Sequence, residues 1–346
     1  MIRTRCLVVW FMCLLPQAAT QPPPDGPAAS PSVRFDEEPL PVPFQRFTTT
    51  DDLGRRITAY LSQPPEDAAG TLPIVLWIQG SGCQSLFMKS PEGKVGGGLQ
   101  NLLFKMARDR FRVLCVEKPG VAFLDMPPRP GAAEGATTEF LEEHTLPRWA
   151  EANAAALRAA WTLPDVDPTR TLVIGHSEGA LTAARVAAEL PQVTHVAPLA
   201  SAGPTQLYSL AELAAQPQPG DEPGDGDRRR EMVYAQWREL MEDPDSTTEF
   251  WMGHPHRRWS SFCRYSSVAE LLRSRARIYL AHGTADRSSY VGSLDVLRAE
   301  LAAHGRDVVV ERIAGVDHGY VPADGSQPGA APFDALFERI LDWFLL

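Results

Sequence analysis

Short runs of apolar residues alternate with longer amphipathic segments from Phe44 to the end of the chain. The runs are rich in valine, isoleucine and leucine at almost every position, which is typical of strands that are buried on both faces. The longer segments repeat their apolar residues with helical spacing. This alternation predicts an α/β fold, in which helices cover both faces of a doubly wound, mostly parallel sheet.

The pattern also predicts where the elements lie. Strands are predicted at 45–50, 56–63, 73–78, 112–116, 171–174, 193–199, 276–281 and 308–313. Helices are predicted at 99–108, 146–162, 180–190, 293–304 and 333–345. Right-handed crossovers bring the carboxyl ends of parallel strands to one edge of a sheet, so residues just beyond those ends are candidate functional residues.

One pentapeptide, Gly175-His176-Ser177-Glu178-Gly179, lies between a predicted strand and a predicted helix. A serine with glycines two residues away on each side, between a strand and a helix, is the arrangement of a nucleophile elbow. The sharp turn would expose the Ser177 hydroxyl at the carboxyl end of the strand. The backbone N–H of Glu178 would then point toward a carbonyl oxygen under attack, while its carboxylate is expected to be a solvated charge at the helix start.

Two later strand ends carry an acid and a base. Asp286 follows the strand 276–281, and His318 follows the strand 308–313. A serine hydroxyl becomes a good nucleophile when an imidazole accepts its proton and a carboxylate orients that imidazole. Ser177, Asp286 and His318 occur in the chain order expected for such a triad. Asp317 remains open as a rival acid, although side chains of consecutive residues usually diverge.

A glycine-rich turn, Gln79-Gly80-Ser81-Gly82-Cys83, follows the strand 73–78. Glycines at this position let backbone N–H groups converge on a developing oxyanion. We therefore expect the N–H of Ser81 or of Gly82 to join that of Glu178 in an oxyanion hole.

With these motifs, the region 44–346 resembles the α/β-hydrolase superfamily, and in particular its serine esterases and the prolyl-oligopeptidase-like and dienelactone-hydrolase-like enzymes. One departure is Gln79, where many relatives have histidine. The resemblance implies a nucleophile, an acid, a base and two oxyanion donors at Ser177, Asp286, His318, Ser81 and Glu178 respectively. It implies a serine hydrolase that cleaves carboxylic esters through an acyl-enzyme, with a small-molecule ester or peptide as substrate and no cofactor. A serine peptidase or amidase, and a non-catalytic binding protein on the same fold, remain alternatives.

The first residues have the pattern of a signal peptide. Arg3 and Arg5 precede the apolar run 6–15, and small residues follow it at 18–20. The run is too short for a stable membrane span. The sequence therefore predicts a signal peptide at 1–20, a proline-rich linker at 21–43 and a secreted or periplasmic hydrolase domain at 44–346.

Charge and composition exclude some partners and ligands. The net charge of −10 is unfavourable for binding nucleic acid or an anionic membrane. His254 and His256 lack a third ligand nearby, so no metal is predicted. Three cysteines follow the predicted signal peptide, and a disulfide between Cys83 and Cys263 is one hypothesis.

The alternation of strands and helices stops at about 204–274, which predicts a lid insertion. Within it, a helix is predicted at 232–241, and the stretch 216–230 is predicted to be mobile surface. Trp251, Trp259 and Phe262 could either line a substrate pocket or pack the insertion onto the body of the domain.

Overall fold

A computed structural model describes residues 33–64, 70–107, 109–201, 203–326 and 333–346. The predicted signal peptide lies outside the described residues and stays a prediction. The described part of the predicted linker includes a two-residue strand that joins the sheet.

The strands follow the predicted order, with additional short ones. They are β1 (Arg34–Phe35), β2 (Phe44–Thr50), β3 (Arg56–Ser62), β4 (Leu72–Ile78), β5 (Phe87–Lys89), β6 (Val95–Gly97), β7 (Arg112–Val116), β8 (Val166–His176), β9 (His195–Leu199), β10 (Phe250–Trp251), β11 (His254–Pro255), β12 (Arg277–Gly283) and β13 (Val308–Ile313).

The helices lie mainly between the strands of the parallel part. They are α1 (Leu99–Ala107), α2 (Thr138–Glu143), α3 (Leu146–Ala160), α4 (Glu178–Glu189), α5 (Gln206–Ala214), α6 (Asp225–Leu240), α7 (His256–Cys263), α8 (Ser267–Arg273), α9 (Gly292–Ala303) and α10 (Asp334–Leu345).

The central sheet has nine strands in the order β1-β2-β3-β7-β4-β8-β9-β12-β13. Every pair from β7 to β13 in this order is parallel, and β1, β2 and β3 extend the sheet with antiparallel pairs. Apolar side chains from α3, α4, α8 and α9 cover one face, and those from α1 and α10 cover the other. The predicted doubly wound, mostly parallel α/β sheet is thus confirmed.

Two buried apolar layers explain why the predicted strands are apolar at nearly every position. Ile74, Leu76 and Ile78 of β4 pack into one layer, whereas Val75 and Trp77 pack into the other. Burying an aliphatic side chain of this size contributes about 1.5–3 kcal/mol relative to leaving it exposed. Both faces of β4 are therefore buried.

The insertion between β9 and β12 is largely helical, which the sequence predicted only in part. Helix α6 begins at Asp225, so the prediction of mobile surface through Arg230 is wrong for its last six residues. Two arginines of this helix form ion pairs with residues that precede it in the chain, Arg229 with Asp221 and Arg230 with Glu212.

The described cysteines form no disulfide, and the described helices include no membrane span. Cys83, Cys115 and Cys263 are free and buried, so the hypothesis of a Cys83–Cys263 disulfide is wrong for this structure. Within the part of the chain that the structure describes, no helix has both the length and the apolar composition needed to cross a membrane.

Candidate active site

Ser177 lies at the sharp turn between β8 and α4. Its backbone φ is +59° and its ψ is −120°, a conformation that non-glycine residues rarely adopt. The Ser177 N–H donates to the carbonyl of Leu199 in the neighbouring strand at 2.9 Å, which ties the strained turn to the sheet. Strain of this kind persists only where the surroundings enforce it, and it concentrates at functional sites.

The two glycines of the pentapeptide allow the helix to approach the sheet. A Cβ atom on Gly179 would lie 2.7 Å from the carbonyl oxygen of Gln79, at the end of β4. A Cβ atom on Gly175 would lie 2.9 Å from the backbone nitrogen of Ala180. Any side chain at either position would push α4 away from the strand ends, so both glycines are steric requirements of the elbow.

Asp286 and His318 meet beyond the ends of β12 and β13. His318 Nδ1 lies 2.7 Å from Asp286 Oδ2, and the Asp286 side chain is fully buried whereas that of His318 is 23% exposed. Burial by itself raises the pKa of the Asp286 carboxyl. Hydrogen bonds from His282, His318 and the backbone outweigh that cost and hold the pKa below its ordinary value.

His282 is a partner of Asp286 that the sequence analysis did not identify. Its Nε2 lies 3.0 Å from Asp286 Oδ2, and the N–H groups of Ser288 and Ser289 donate to the other oxygen at 2.7 and 2.9 Å. The available signal was the spacing, because His282 lies near the end of β12 and Asp286 follows four residues later in the next loop.

The rival acid Asp317 does not face the imidazole. Its Oδ1 accepts the N–H groups of Gly319 and Val321, both at 2.9 Å, so the carboxylate shapes its own loop. His176 supports the same loop, because its Nε2 lies 2.8 Å from the carbonyl oxygen of His318. Burial lowers the pKa of His176 to about 3, so its imidazole is neutral and donates to that carbonyl.

The glycine-rich turn lies against the nucleophile. A Cβ atom on Gly80 would be 3.4 Å from Ser177 Cβ and 3.8 Å from Ser177 Oγ. Gly82 has a φ of +99°, and a side chain there would collide with Gly131. The structure thus places the turn that carries Ser81 against Ser177, the residue directly before α4. Among the described residues, no hydrogen bond joins Ser177 Oγ to the His318 ring, and such bonds commonly tighten only when substrate binds.

Residues 96–335, more than half of the chain, match the model of the alpha/beta hydrolase family. The chain belongs to this family. The resemblance stated from the sequence is thereby confirmed. No curated protein matches the sequence.

Solved structures of three other proteins share the fold of this hydrolase. Dipeptidyl peptidase 4 from Porphyromonas gingivalis is 13% identical with a TM-score of 0.55, and the alignment covers 88% of this chain and 35% of that one. Acylaminoacyl peptidase from Pyrococcus horikoshii is 13% identical with a TM-score of 0.58, and the alignment covers 87% of this chain and 41% of that one. Acetyl xylan esterase 1 from Thermoanaerobacterium sp. JW/SL YS485 is 14% identical with a TM-score of 0.54, and the alignment covers 91% of this chain and 87% of that one. The hydrolase thus spans well under half the length of the two peptidases.

The expectation that the Glu178 carboxylate is solvated is wrong. Its side chain is 1% exposed and accepts hydrogen bonds from Lys118 Nζ at 3.2 Å and from Arg258 at 2.6 and 2.9 Å. His144 Nε2 lies 2.8 Å from the same carboxylate. Burial alone raises the pKa of Glu178, but the two cations and the imidazole N–H hold it well below the ordinary value. We call Lys118, His144, Glu178 and Arg258 the Glu178 cluster.

A small cavity opens beside the nucleophile. It has a volume of about 40 Å³. Residues from the elbow, the insertion and the loop after β12 line it, including Ser177, Leu181, Gln206, Ser209, Phe262 and Ser289. Phe262 therefore serves both the packing of the insertion and the wall of this cavity. A space of this size admits one or two small groups, and no large side chain.

Proposed function

We propose that this hydrolase is a serine esterase that cleaves carboxylic esters of short acyl groups. The observation that carries the proposal is the placement of three groups at one sheet edge: a strained serine at the elbow, and an imidazole that is hydrogen bonded to a buried carboxylate. This is the constellation that acyl transfer requires. The small cavity beside Ser177 supports short acyl groups as substrates.

The chemistry begins with the His318 imidazole. Because Nδ1 donates to Asp286, Nε2 carries the lone pair and accepts the proton of Ser177. The Ser177 oxygen attacks the ester carbonyl carbon, and the carbonyl oxygen takes up the negative charge. The backbone N–H groups of Ser81 and Glu178 stabilise this oxyanion.

The second half of the reaction releases both products. The tetrahedral intermediate collapses, the alcohol leaves with the proton from His318, and an acyl-enzyme remains on Ser177. Water then attacks the acyl carbon while His318 accepts its proton, and collapse of the second intermediate releases the acid and regenerates the serine. These reaction steps need no cofactor, because the side chains and backbone of the chain supply every group that takes part. We also propose, from residues 1–20 alone, that the enzyme acts after secretion or in a periplasm.

The variant Ser177→Ala tests the nucleophile. We expect hydrolysis of p-nitrophenyl acetate to fall by at least about 10⁴-fold with little change in melting temperature, because the hydroxyl performs the chemistry and the glycines maintain the turn. A fluorophosphonate probe should label the wild-type protein on Ser177 and leave the variant unlabelled. The matched control is Ser326→Ala, which removes an exposed hydroxyl and should leave rate and labelling unchanged. Near wild-type turnover by Ser177→Ala would remove the basis of the proposal.

A series of p-nitrophenyl esters tests the acyl group. We expect kcat/KM to be highest for acetate or propionate and to fall by about 10-fold or more at octanoate, because forcing surplus methylenes into a space that is already filled costs about 1–3 kcal/mol. A peptide p-nitroanilide serves as the comparison substrate. Faster cleavage of the anilide than of the acetate would favour a peptidase or amidase instead.

A further inference from the structure

The ammonium group of Lys118 lies directly beneath the glycine-rich turn. Its Nζ donates to the carbonyl oxygens of Gly80 at 2.5 Å and Gly82 at 2.9 Å, and to Glu178 Oε1 at 3.2 Å. Three acceptors require three N–H donors, which an ammonium supplies and a neutral amine does not. The Lys118 side chain has no exposed surface, so water cannot substitute for any of these partners.

These contacts fix the direction of a predicted oxyanion donor. The carbonyl of Gly80 and the N–H of Ser81 belong to the same peptide group, which is planar and trans. When Lys118 holds the carbonyl on its own side, the N–H must point to the opposite side. A cation on the carbonyl oxygen also polarises the peptide group and makes its N–H a stronger donor.

The second oxyanion donor is tied to the same ammonium. Glu178 supplies its backbone N–H at the start of α4, and its carboxylate accepts from Lys118. One buried side chain therefore connects both walls of the predicted oxyanion hole, the turn and the elbow. The Gly80 contacts with Ser177 show that this connection lies next to the nucleophile.

The charges of the Glu178 cluster favour a developing anion. Two cations, Lys118 and Arg258, face one carboxylate, and burial lowers the pKa of His144 to about 4, so that its imidazole is neutral. The Arg258 guanidinium lies 4.1 Å from the ring centre of Trp259 and 4.7 Å from that of Phe262. In such a dry environment, unbalanced positive charge acts on nearby groups more strongly than it would in water.

We propose that Lys118 is a positioning residue that orients and polarises the oxyanion hole, and that Glu178 holds it in place. This inference rests on the proposed function. Arg258 belongs to α7 of the insertion, so the cluster also couples the insertion to the nucleophile elbow.

The test uses the variant Lys118→Met in the full chain, which keeps the length of the side chain and removes its charge and donors. Glu178 retains Arg258 and His144 as partners, which favours folding. We expect kcat for p-nitrophenyl acetate to fall by about 10- to 100-fold with KM within about 3-fold, since removing a direct oxyanion donor costs about 10²–10³. Affinity for a trifluoromethyl ketone, which forms a tetrahedral oxyanion with the serine, should fall by a similar factor.

A second readout reports on the oxyanion itself. A thionoester places sulfur, a weaker hydrogen-bond acceptor, where the ester places oxygen. The wild-type enzyme should prefer the ester, and Lys118→Met should lose part of that preference. A change confined to packing would slow both substrates equally.

The matched control is Glu270→Gln. Glu270 is also buried, pairs with Arg185 of the same helix α4 at 2.9 Å, and lies outside the predicted site. We expect this variant to lose stability without changing the ester preference or the ketone affinity. If Lys118→Met does not fold, Lys118→Gln keeps N–H donors without the charge and should show a smaller loss of the same kind.

The outcomes separate the two proposals. If folded Lys118 variants match Glu270→Gln in kcat, in ketone affinity and in ester preference, while fluorophosphonate labels Ser177 of the wild type, the inference is wrong and the esterase proposal stands. If the wild type is not labelled at Ser177, both are wrong.

Discussion

The candidate site contains two buried carboxylates, Asp286 and Glu178, whose surroundings differ. Asp286 accepts hydrogen bonds from two imidazoles and two backbone N–H groups, and one of these partners, His318, keeps 23% of its side chain exposed. Glu178 faces two cations, Lys118 and Arg258, whose side chains are at most 2% exposed. The carboxylates are similar in burial, but only one of them reaches a group that can exchange a proton with substrate.

This difference indicates that the two carboxylates have different roles in the proposed reaction. A partly exposed imidazole held by a carboxylate can gain and lose a proton in each turnover. A buried cluster of charged groups cannot exchange protons with substrate. It can maintain a constant electric field and a constant backbone geometry.

A large loss of rate is expected from Asp286→Asn. An asparagine offers an amide that favours the wrong imidazole tautomer, so kcat should fall by about 10⁴-fold, as for the analogous change in serine proteases. Esterase kinetics at saturating and limiting substrate measure this effect, with circular dichroism to establish folding.

The paired variant is Asp317→Asn. Its side-chain oxygen can still accept the N–H groups of Gly319 and Val321, so we expect less than about a 10-fold loss. The opposite ranking of the two variants would show that Asp317 is the working acid.

The surroundings of the two carboxylates also differ in how well they could be predicted from the sequence. Ser177, Asp286 and His318 each follow a strand whose apolar run is readable, and parallel topology brings those strand ends together. The elements that carry the predicted triad were therefore predictable, and the structure brings Asp286 and His318 into contact.

The Glu178 cluster was not predictable in the same way. Lys118 follows β7, His144 ends α2, and Arg258 lies in the insertion, so their contact depends on how distant segments fold. In the sequence, Arg258 stands in the basic run His256-Arg257-Arg258, which is typical of a solvated surface. The position of Lys118 at a strand end was the only signal that the chain itself offered.

An intermediate effect concerns stability at acid pH. The pKa of His144 is about 4 in the folded protein and about 6.5 in an unfolded chain. Between these values the unfolded chain binds more protons, so the free energy of unfolding falls as the pH decreases, by about 2 kcal/mol for this residue at pH 5. Asp286 and Glu178, whose pKa values are lowered, lose their contribution only below a pH of about 4.

Urea unfolding at pH 7 and pH 5 measures this effect. His144→Gln keeps a donor for Glu178 but cannot titrate, so its loss of stability between the two pH values should be about 2 kcal/mol smaller than that of the wild type. The control His304→Gln removes an exposed histidine and should follow the wild type. Equal pH dependence of all three proteins would contradict a buried neutral His144.

A smaller loss of rate than that of Asp286→Asn is expected from changing His282, the second imidazole on Asp286. Its Nε2 is 3.0 Å from the carboxylate, and the ring is buried beyond the reach of solvent. His282→Phe fills a similar space and removes one of several hydrogen bonds to Asp286. A hydrogen bond to a charged group contributes about 1.5–3 kcal/mol, and the remaining donors compensate in part, so kcat should fall by about 10-fold.

The comparison of His282→Phe with His318→Phe then identifies the working base. If His318 accepts the serine proton, its replacement should cost at least about 10⁴-fold, whereas the His282 variant keeps its dependence on pH and only its rate declines. Thermal unfolding of both variants shows whether each is folded. A loss in His282→Phe that equals the loss in His318→Phe would mean that Asp286 needs both imidazoles, and that the acid and base of this site form a unit of three residues.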